Sequence, residues 1–207
     1  MTQATLIHPA GTPARYVQPD EAVSRLRVPP EAELPPKLRD IHAGIRRKSG
    51  SVPNFVTALS VNPASVLRIL TFYEHLFDPA NSHLSDLDRE LIAVVTSAAT
   101  GCSYCVFNHR PALAAALGDR VLADRIARNH EDVALAPRER AIADVVHKLA
   151  VAPHHVGTAD FDRLKALGLS EAAILEVLEI SAFFSYGNRL TIALNVQPDA
   201  QFFVDPN

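Results

Sequence analysis

The sequence predicts an all-α protein with an extended N-terminal arm. Apolar residues recur at three- and four-residue intervals almost everywhere from Leu38 onward, and these runs are bounded by residues that start and stop helices. Strand-like alternation is confined to Gln201-Phe202-Phe203-Val204, which is too short to carry weight. No repeat is visible at the period of a solenoid.

The first 36 residues hold Pro9, Pro13, Pro19, Pro29, Pro30, Pro35 and Pro36, seven of the 15 prolines in the chain. Proline removes a backbone donor and fixes φ, so this stretch reads as an extended arm. Leu6, Ile7, Tyr16 and Val17 are apolar enough to dock it on the domain or on a neighbouring subunit. Residues 37–207 then form a single helical domain.

Leu38, Ile41 and Ile45 mark a short helix that closes at Ser49-Gly50-Ser51. Asn62-Pro63 combines a capping side chain with proline at the first helical position. Leu67, Ile69, Leu70, Phe72 and Leu76 supply the buried side of that helix, which ends before Pro79. Ser85 caps the next, with Asp86 and Asp88 in the first turn where the helix dipole favours acid. It carries Leu87, Leu91, Ile92, Val94 and Val95 and stops at Thr100-Gly101. A helix from about Cys105 to Leu117 ends at Gly118, with a kink expected after His109 because Pro111 cannot donate to the carbonyl of Phe107. Shorter helices carry Leu122 and Ile126, then, from Pro137, Ala141, Ile142, Val145 and Leu149, and, capped by Thr158, Phe161 and Leu164. Ser170 opens the longest, from about Glu171 to near Asn195. This last helix is apolar around most of its circumference, which predicts deep burial within the domain or between subunits.

A net charge of −3 gives no reason to expect nucleic acid or an anionic membrane as partner. No apolar run reaches membrane-spanning length, and Met1-Thr2-Gln3-Ala4-Thr5 lacks the basic and apolar regions of a secretory signal, so a cytoplasmic location is expected. The chain has 2 cysteines, Cys102 and Cys105, in a C-x-x-C arrangement. A loop so short offers little as a structural staple, so the pair reads as a redox-active dithiol.

Gly101 can take the positive φ that ends one helix, which places Cys102 at the start of the next. Amides at a helix start lower a thiol's pKa. Cys105 lies one turn on and His109 one turn further, so an imidazole stands beside the Cys105 thiol and can take its proton. Glu90, on the preceding helix, reaches His109 if the two helices pack antiparallel, and there it would orient the ring. The two effects compete: the helix start favours Cys102 as thiolate, and the imidazole favours Cys105. Because dipole effects fall off within a turn while a dedicated base acts on the thiol it touches, Cys105 is the expected thiolate. Zinc on Cys102, Cys105, His109 and Glu90 is not expected, because structural zinc sites add a second, distant ligand pair. The other histidines, including His154-His155, read as surface or loop residues.

The spacing Glu90, Cys102, Cys105, His109 resembles the signature of the AhpD-like alkylhydroperoxidases of the carboxymuconolactone decarboxylase superfamily. Val52-Pro53-Asn54-Phe55, Asn62-Pro63, Arg89-Glu90-Leu91-Ile92, Gly101-Cys102-Ser103-Tyr104-Cys105, Gly168-Leu169-Ser170 and Phe183-Phe184-x-x-x-Asn188-Arg189 are similar to its peroxidase-related branch, over roughly residues 38–197. The resemblance implies an all-helical homo-oligomer that reduces hydroperoxides without haem, flavin or metal. It implies that Cys105 attacks the peroxide and forms a sulfenic acid, that Cys102 resolves this to a disulfide, and that His109 and Glu90 deprotonate Cys105, through a water. An external dithiol of lipoyl type would regenerate the pair. Tyr104 stands where the best-known peroxidases of the family carry histidine. Phe55, Phe107 and Phe183 are the expected walls of a substrate pocket. Two other readings of the pair are a redox sensor or dithiol-exchange protein, and a decarboxylase, whose chemistry does not call for a dithiol.

Overall fold

The computed structural model describes residues 22–199. The first 21 residues of the proline-rich arm and the Gln201–Val204 segment lie outside the described residues. Among the described residues there are nine α-helices and no strand. They are α1 (Pro36–Ser49), α2 (Asn54–Leu59), α3 (Pro63–Leu76), α4 (Asp86–Ala99), α5 (Ser103–Leu117), α6 (Arg120–Arg128), α7 (Pro137–Val151), α8 (Thr158–Ala166) and α9 (Glu171–Leu194).

The helix ends follow from side-chain chemistry. Asn62 accepts from the amide of Ala64 at the start of α3. Ser85 and Asp88 form a reciprocal capping box on α4, and Ser170 accepts from the amide of Ala173 on α9. Gly118 ends α5 at φ 65°, and Asn195 ends α9 at φ 50°, a conformation Asn tolerates better than most residues. One start is displaced by a residue. Thr158 is the first helical residue of α8 rather than its cap; Gly157 caps it, and its amide donates to Asp160.

α4 is the central helix. It packs along α5, α7 and α9, and every residue from Leu91 to Ser97 is buried. The most complete burial within the chain therefore belongs to α4. α9 buries Ile174, Val177, Ile180, Phe184 and Thr191 but leaves Leu175, Tyr186 and Ile192 exposed. Phe72, expected inside, is likewise exposed on α3, and its neighbour Tyr73 packs against the core instead. α5 continues as helix through Pro111 to Leu117, so the expected kink after His109 does not end the helix.

Two further segments hold the site in place. Residues 22–25 run beside the chain end, where the amide of Arg25 donates to Leu194 O and that of Gln197 donates to Val23 O. Asp199 accepts from the amide of Asn54, tying the end of the described chain to α2. The six-residue α2 is too short to show a helical period in the sequence.

Candidate active site

α4 and α5 form an antiparallel hairpin, and its turn carries the thiols. Gly101 sits at φ 76°, which turns the backbone so that Cys102 becomes the N-cap of α5. The amide of Cys105 donates to Cys102 Sγ at 3.3 Å, so a sulfur fills the position usually taken by a serine or aspartate oxygen. Both thiols are free; Cys102 is 1% exposed and Cys105 9%.

The antiparallel packing also brings Glu90 to His109. His109 Nδ1 lies 2.8 Å from Glu90 Oε2. A carboxylate can only accept, so Nδ1 carries the proton and Nε2 is the basic nitrogen. The ring stands edge-to-face on Phe184, with centroids 4.7 Å apart. His109 and Cys105 line one cavity of about 320 Å³, but no direct hydrogen bond joins the imidazole to either sulfur among the described residues. The sequence placed the imidazole beside the Cys105 thiol, directly or through a water; the structure puts both on one cavity, with Glu90 as the imidazole's hydrogen-bond partner.

The cavity walls are mostly apolar, with Phe55, Ile69, Leu70, Phe183 and Phe184 among them. Phe107, expected to be a third aromatic wall, is absent from the lining and lies under the guanidinium of Arg110. Tyr73 also faces the cavity, and burial, followed by the charge of Glu90, pushes its phenol up to about 12. Tyr73 therefore stays neutral over the working pH range.

The two thiols have opposite acidities. Hydrogen bonding from Cys105 holds the Cys102 thiol below the usual thiol range, against the effect of burial. Donating to Cys102 pushes Cys105 up, and its own burial adds to this. Of the two thiols, Cys102 is thus the one whose anion is favoured, and its N-cap position acts in the same direction. These directions follow the helix start rather than the imidazole, which shares the cavity with Cys105 but makes no direct hydrogen bond to it among the described residues.

Tyr104, between the cysteines, does not point its hydroxyl at them. It donates to Asp199 at 2.6 Å and accepts from the amide of Phe55 at 3.1 Å. Burial, and then Asp199, push its phenol far up, so it serves as a fixed wall rather than a proton carrier.

Sequence reasoning missed Thr191 and underused Asn188, both from α9. Thr191 Oγ1 lies 3.9 Å from Cys105 Sγ and donates its proton to Gly187 O at 2.9 Å. Asn188 is fully buried, accepts from Ser97, donates to Thr100 at 2.8 Å and faces the cavity. α9 also carries Glu176, Glu179, Ser181 and Arg189, so nothing local set these two polar residues apart. On its other side Cys102 borders a second, smaller cavity of about 180 Å³ with Ser103, Thr191 and Asn195.

Not all the remaining histidines are surface residues. His42 is buried and bonded to Ser60 at 3.0 Å, and His130 is buried against His147. No helix among the described residues is long and apolar enough to cross a membrane.

Comparison with known proteins agrees with this architecture. The carboxymuconolactone decarboxylase family model matches residues 63–148, which span α3 to most of α7. No curated protein matches the chain. The crystal structure of an alkylhydroperoxidase AhpD core, an uncharacterized peroxidase-related protein from Ralstonia eutropha JMP134, is 32% identical. It superposes with a TM-score of 0.82 over 88% of this chain and 96% of that one. An uncharacterized peroxidase-related protein from Silicibacter sp. TM1040 is 28% identical, with a TM-score of 0.82 over 90% and 96% of the two chains. The debrominase Bmp8, 24% identical with a TM-score of 0.67 over 81% and 89%, shares the fold. With a helical core common to all three and about a third of its residues identical to the Ralstonia protein, this chain belongs to the carboxymuconolactone decarboxylase superfamily as an AhpD-like member.

Proposed function

We propose that this protein is a thiol-dependent hydroperoxide reductase that takes organic hydroperoxides into the apolar cavity at Cys105. The observation that carries the reading is one arrangement: a cysteine and a carboxylate-held imidazole share a cavity of about 320 Å³, with a second cysteine one helical turn away. The peroxidase-related character of the Ralstonia and Silicibacter proteins supports the same reaction class.

The chemistry balances with these groups alone. Cys105 gives up its proton to His109 Nε2, through a water, and its sulfur attacks the distal peroxide oxygen. The O–O bond breaks, leaving a sulfenic acid on Cys105 and an alkoxide that takes a proton from His109. The Cys102 thiolate then attacks the Cys105 sulfur and expels hydroxide, which leaves as water once protonated. The lowered pKa of Cys102 favours its thiolate for this step. Two electrons have passed from the thiol pair to the peroxide. An external dithiol of lipoyl class returns them by thiol–disulfide exchange.

Glu90 is the positioning residue of the relay: it fixes the His109 tautomer and stabilises the imidazolium. Phe72, Leu175, Tyr186 and Ile192, exposed on α3 and α9, support assembly into a homo-oligomer. The test is consumption of cumene hydroperoxide with dihydrolipoamide as reductant. Turnover is the expected result. A disulfide that forms and is reduced readily without peroxide turnover would instead make the protein a dithiol-exchange or sensor module.

A further inference from the structure

A second cluster of chemistry-bearing side chains lies outside the dithiol site. His130 and Glu131 sit on the 3-10 turn (His130–Asp132) that follows α6, and His147 sits on α7. One ligand atom from each of the three lies within 4.8 Å of the others. The two imidazoles pack edge-to-face with centroids 5.0 Å apart.

We propose that His130, His147 and Glu131 bind a first-row divalent cation of the zinc class, which pins the α6–α7 connection to α7. Two imidazole nitrogens and one carboxylate oxygen are ligands that suit zinc and its neighbours, rather than the all-oxygen sets taken by calcium or magnesium. Zinc ligands at about 2.0–2.1 Å from the metal stand about 3.3 Å apart, so closure asks for side-chain shifts of an ångström or so. Glu131 is exposed and His147 half-buried, and both can make that adjustment.

The independent observation is the state of His130. Its side chain is 7% exposed, and Nε2 is buried with no hydrogen-bond partner. A buried polar nitrogen is normally satisfied, and an unmet one calls for an explanation. The nearest acid does not supply it: Asp144 Oδ1 is 3.8 Å from Nε2, and Asp144 is already engaged by Arg163 at 2.7 Å and Arg140 at 3.6 Å. No ion pair to Glu131 is seen among the described residues, which leaves its carboxylate free to meet a cation beside the two imidazoles. Burial and the neighbouring His147 also favour neutral His130, the form that binds metal. The set shares no residue with the cavities at Cys105 and Cys102, so the cation is structural to this connection rather than part of thiol chemistry.

The test is zinc titration of the full chain, stripped with chelator, in a Cys102→Ser/Cys105→Ser background so that thiols do not compete. Calorimetry should give one saturable equivalent, and cobalt in its place should give a visible ligand-field band. His147→Ala and Glu131→Gln, both at accessible positions, should each weaken zinc by more than about tenfold and abolish its upward shift of Tm. His154→Ala/His155→Ala should leave binding unchanged. Absence of a saturable equivalent, survival of full affinity in His147→Ala, or its loss in the His154/His155 variant would each overturn the assignment.

Discussion

Cys102 and Cys105 are three residues apart, yet their surroundings differ in every respect that matters to a thiol. Cys102 caps a helix, accepts a backbone amide and borders a small cavity with hydroxyl and amide side chains. Cys105 opens on an apolar cavity with aromatic walls, shares it with His109, and is pushed towards its protonated form. The hairpin therefore separates two requirements. One sulfur is favoured as the anion, and the other is placed on an apolar cavity. A pair with equivalent surroundings would have to meet both demands at each sulfur.

Removing either sulfur breaks the comparison most severely. Cys105→Ser and Cys102→Ser should both reduce dithiol-dependent peroxide turnover to the uncatalysed background, because the cycle needs an attacker and a resolver. Retained turnover in either variant would show that the sulfurs are not divided in this way. His109→Ala should cost about 10²–10⁴-fold in kcat/KM, the usual worth of a positioned acid–base group. Glu90→Gln should cost less than that, since it leaves the imidazole present and removes only its orienting charge.

The difference in acidity can be sharpened directly. Thiolate absorbance near 240 nm should show one ionisation per chain below the ordinary thiol value of about 8.5, with no second one in the accessible range. Cys105→Ala removes the donor to Cys102 and should move that ionisation upward. Its folded-state pKa lies below the unfolded value, so this thiolate contributes stability that is present above the unfolded pKa and is lost as pH falls through the folded one. Cys105→Ala should therefore lessen the rise of stability with pH across that window, measured by urea unfolding at several pH values.

The smallest effect concerns the residue between the cysteines. Tyr104→Phe leaves Asp199 and the Phe55 amide without their shared partner, which should cost about 1–3 kcal/mol of stability. It should change kcat/KM by less than about tenfold, under the range of an acid–base group. A loss in the range expected for His109→Ala would make Tyr104 a proton carrier and would contradict its role as a wall.

Much of this fold was legible because capping is local. Asn62, Ser85, Gly118 and Ser170 each act within a turn of their own position, so the sequence carries the full signal. Gly157 was missed in favour of Thr158 because the cap interaction comes from Asp160, reaching back to an amide with no side chain of its own. Burial was less legible than helicity. α4 and α9 look equally apolar in places, and only tertiary packing decides that α4 is surrounded while α9 keeps an exposed stripe.

The site divides in the same way. Glu90, Cys102, Cys105 and His109 could be placed together because one short turn joins their two helices. The sequence pointed to Cys105 as the thiolate because an imidazole lies one turn on, whereas the hydrogen bonding that lowers one thiol and raises the other runs between the two cysteines themselves. Thr191 and Asp199 lie about 90 residues beyond the thiols, and His130 and His147 are on different elements, so no local pattern announced them.

The division of labour between the sulfurs is the central claim, and trapping the sulfenic acid tests it most directly. Each single serine variant would be treated with one equivalent of cumene hydroperoxide and dimedone, and the adduct located by mass spectrometry. The account predicts a stoichiometric adduct on Cys105 in Cys102→Ser and none on Cys102 in Cys105→Ser. A rapid, stoichiometric adduct on Cys102 would contradict it and make the anion-stabilised sulfur the attacker.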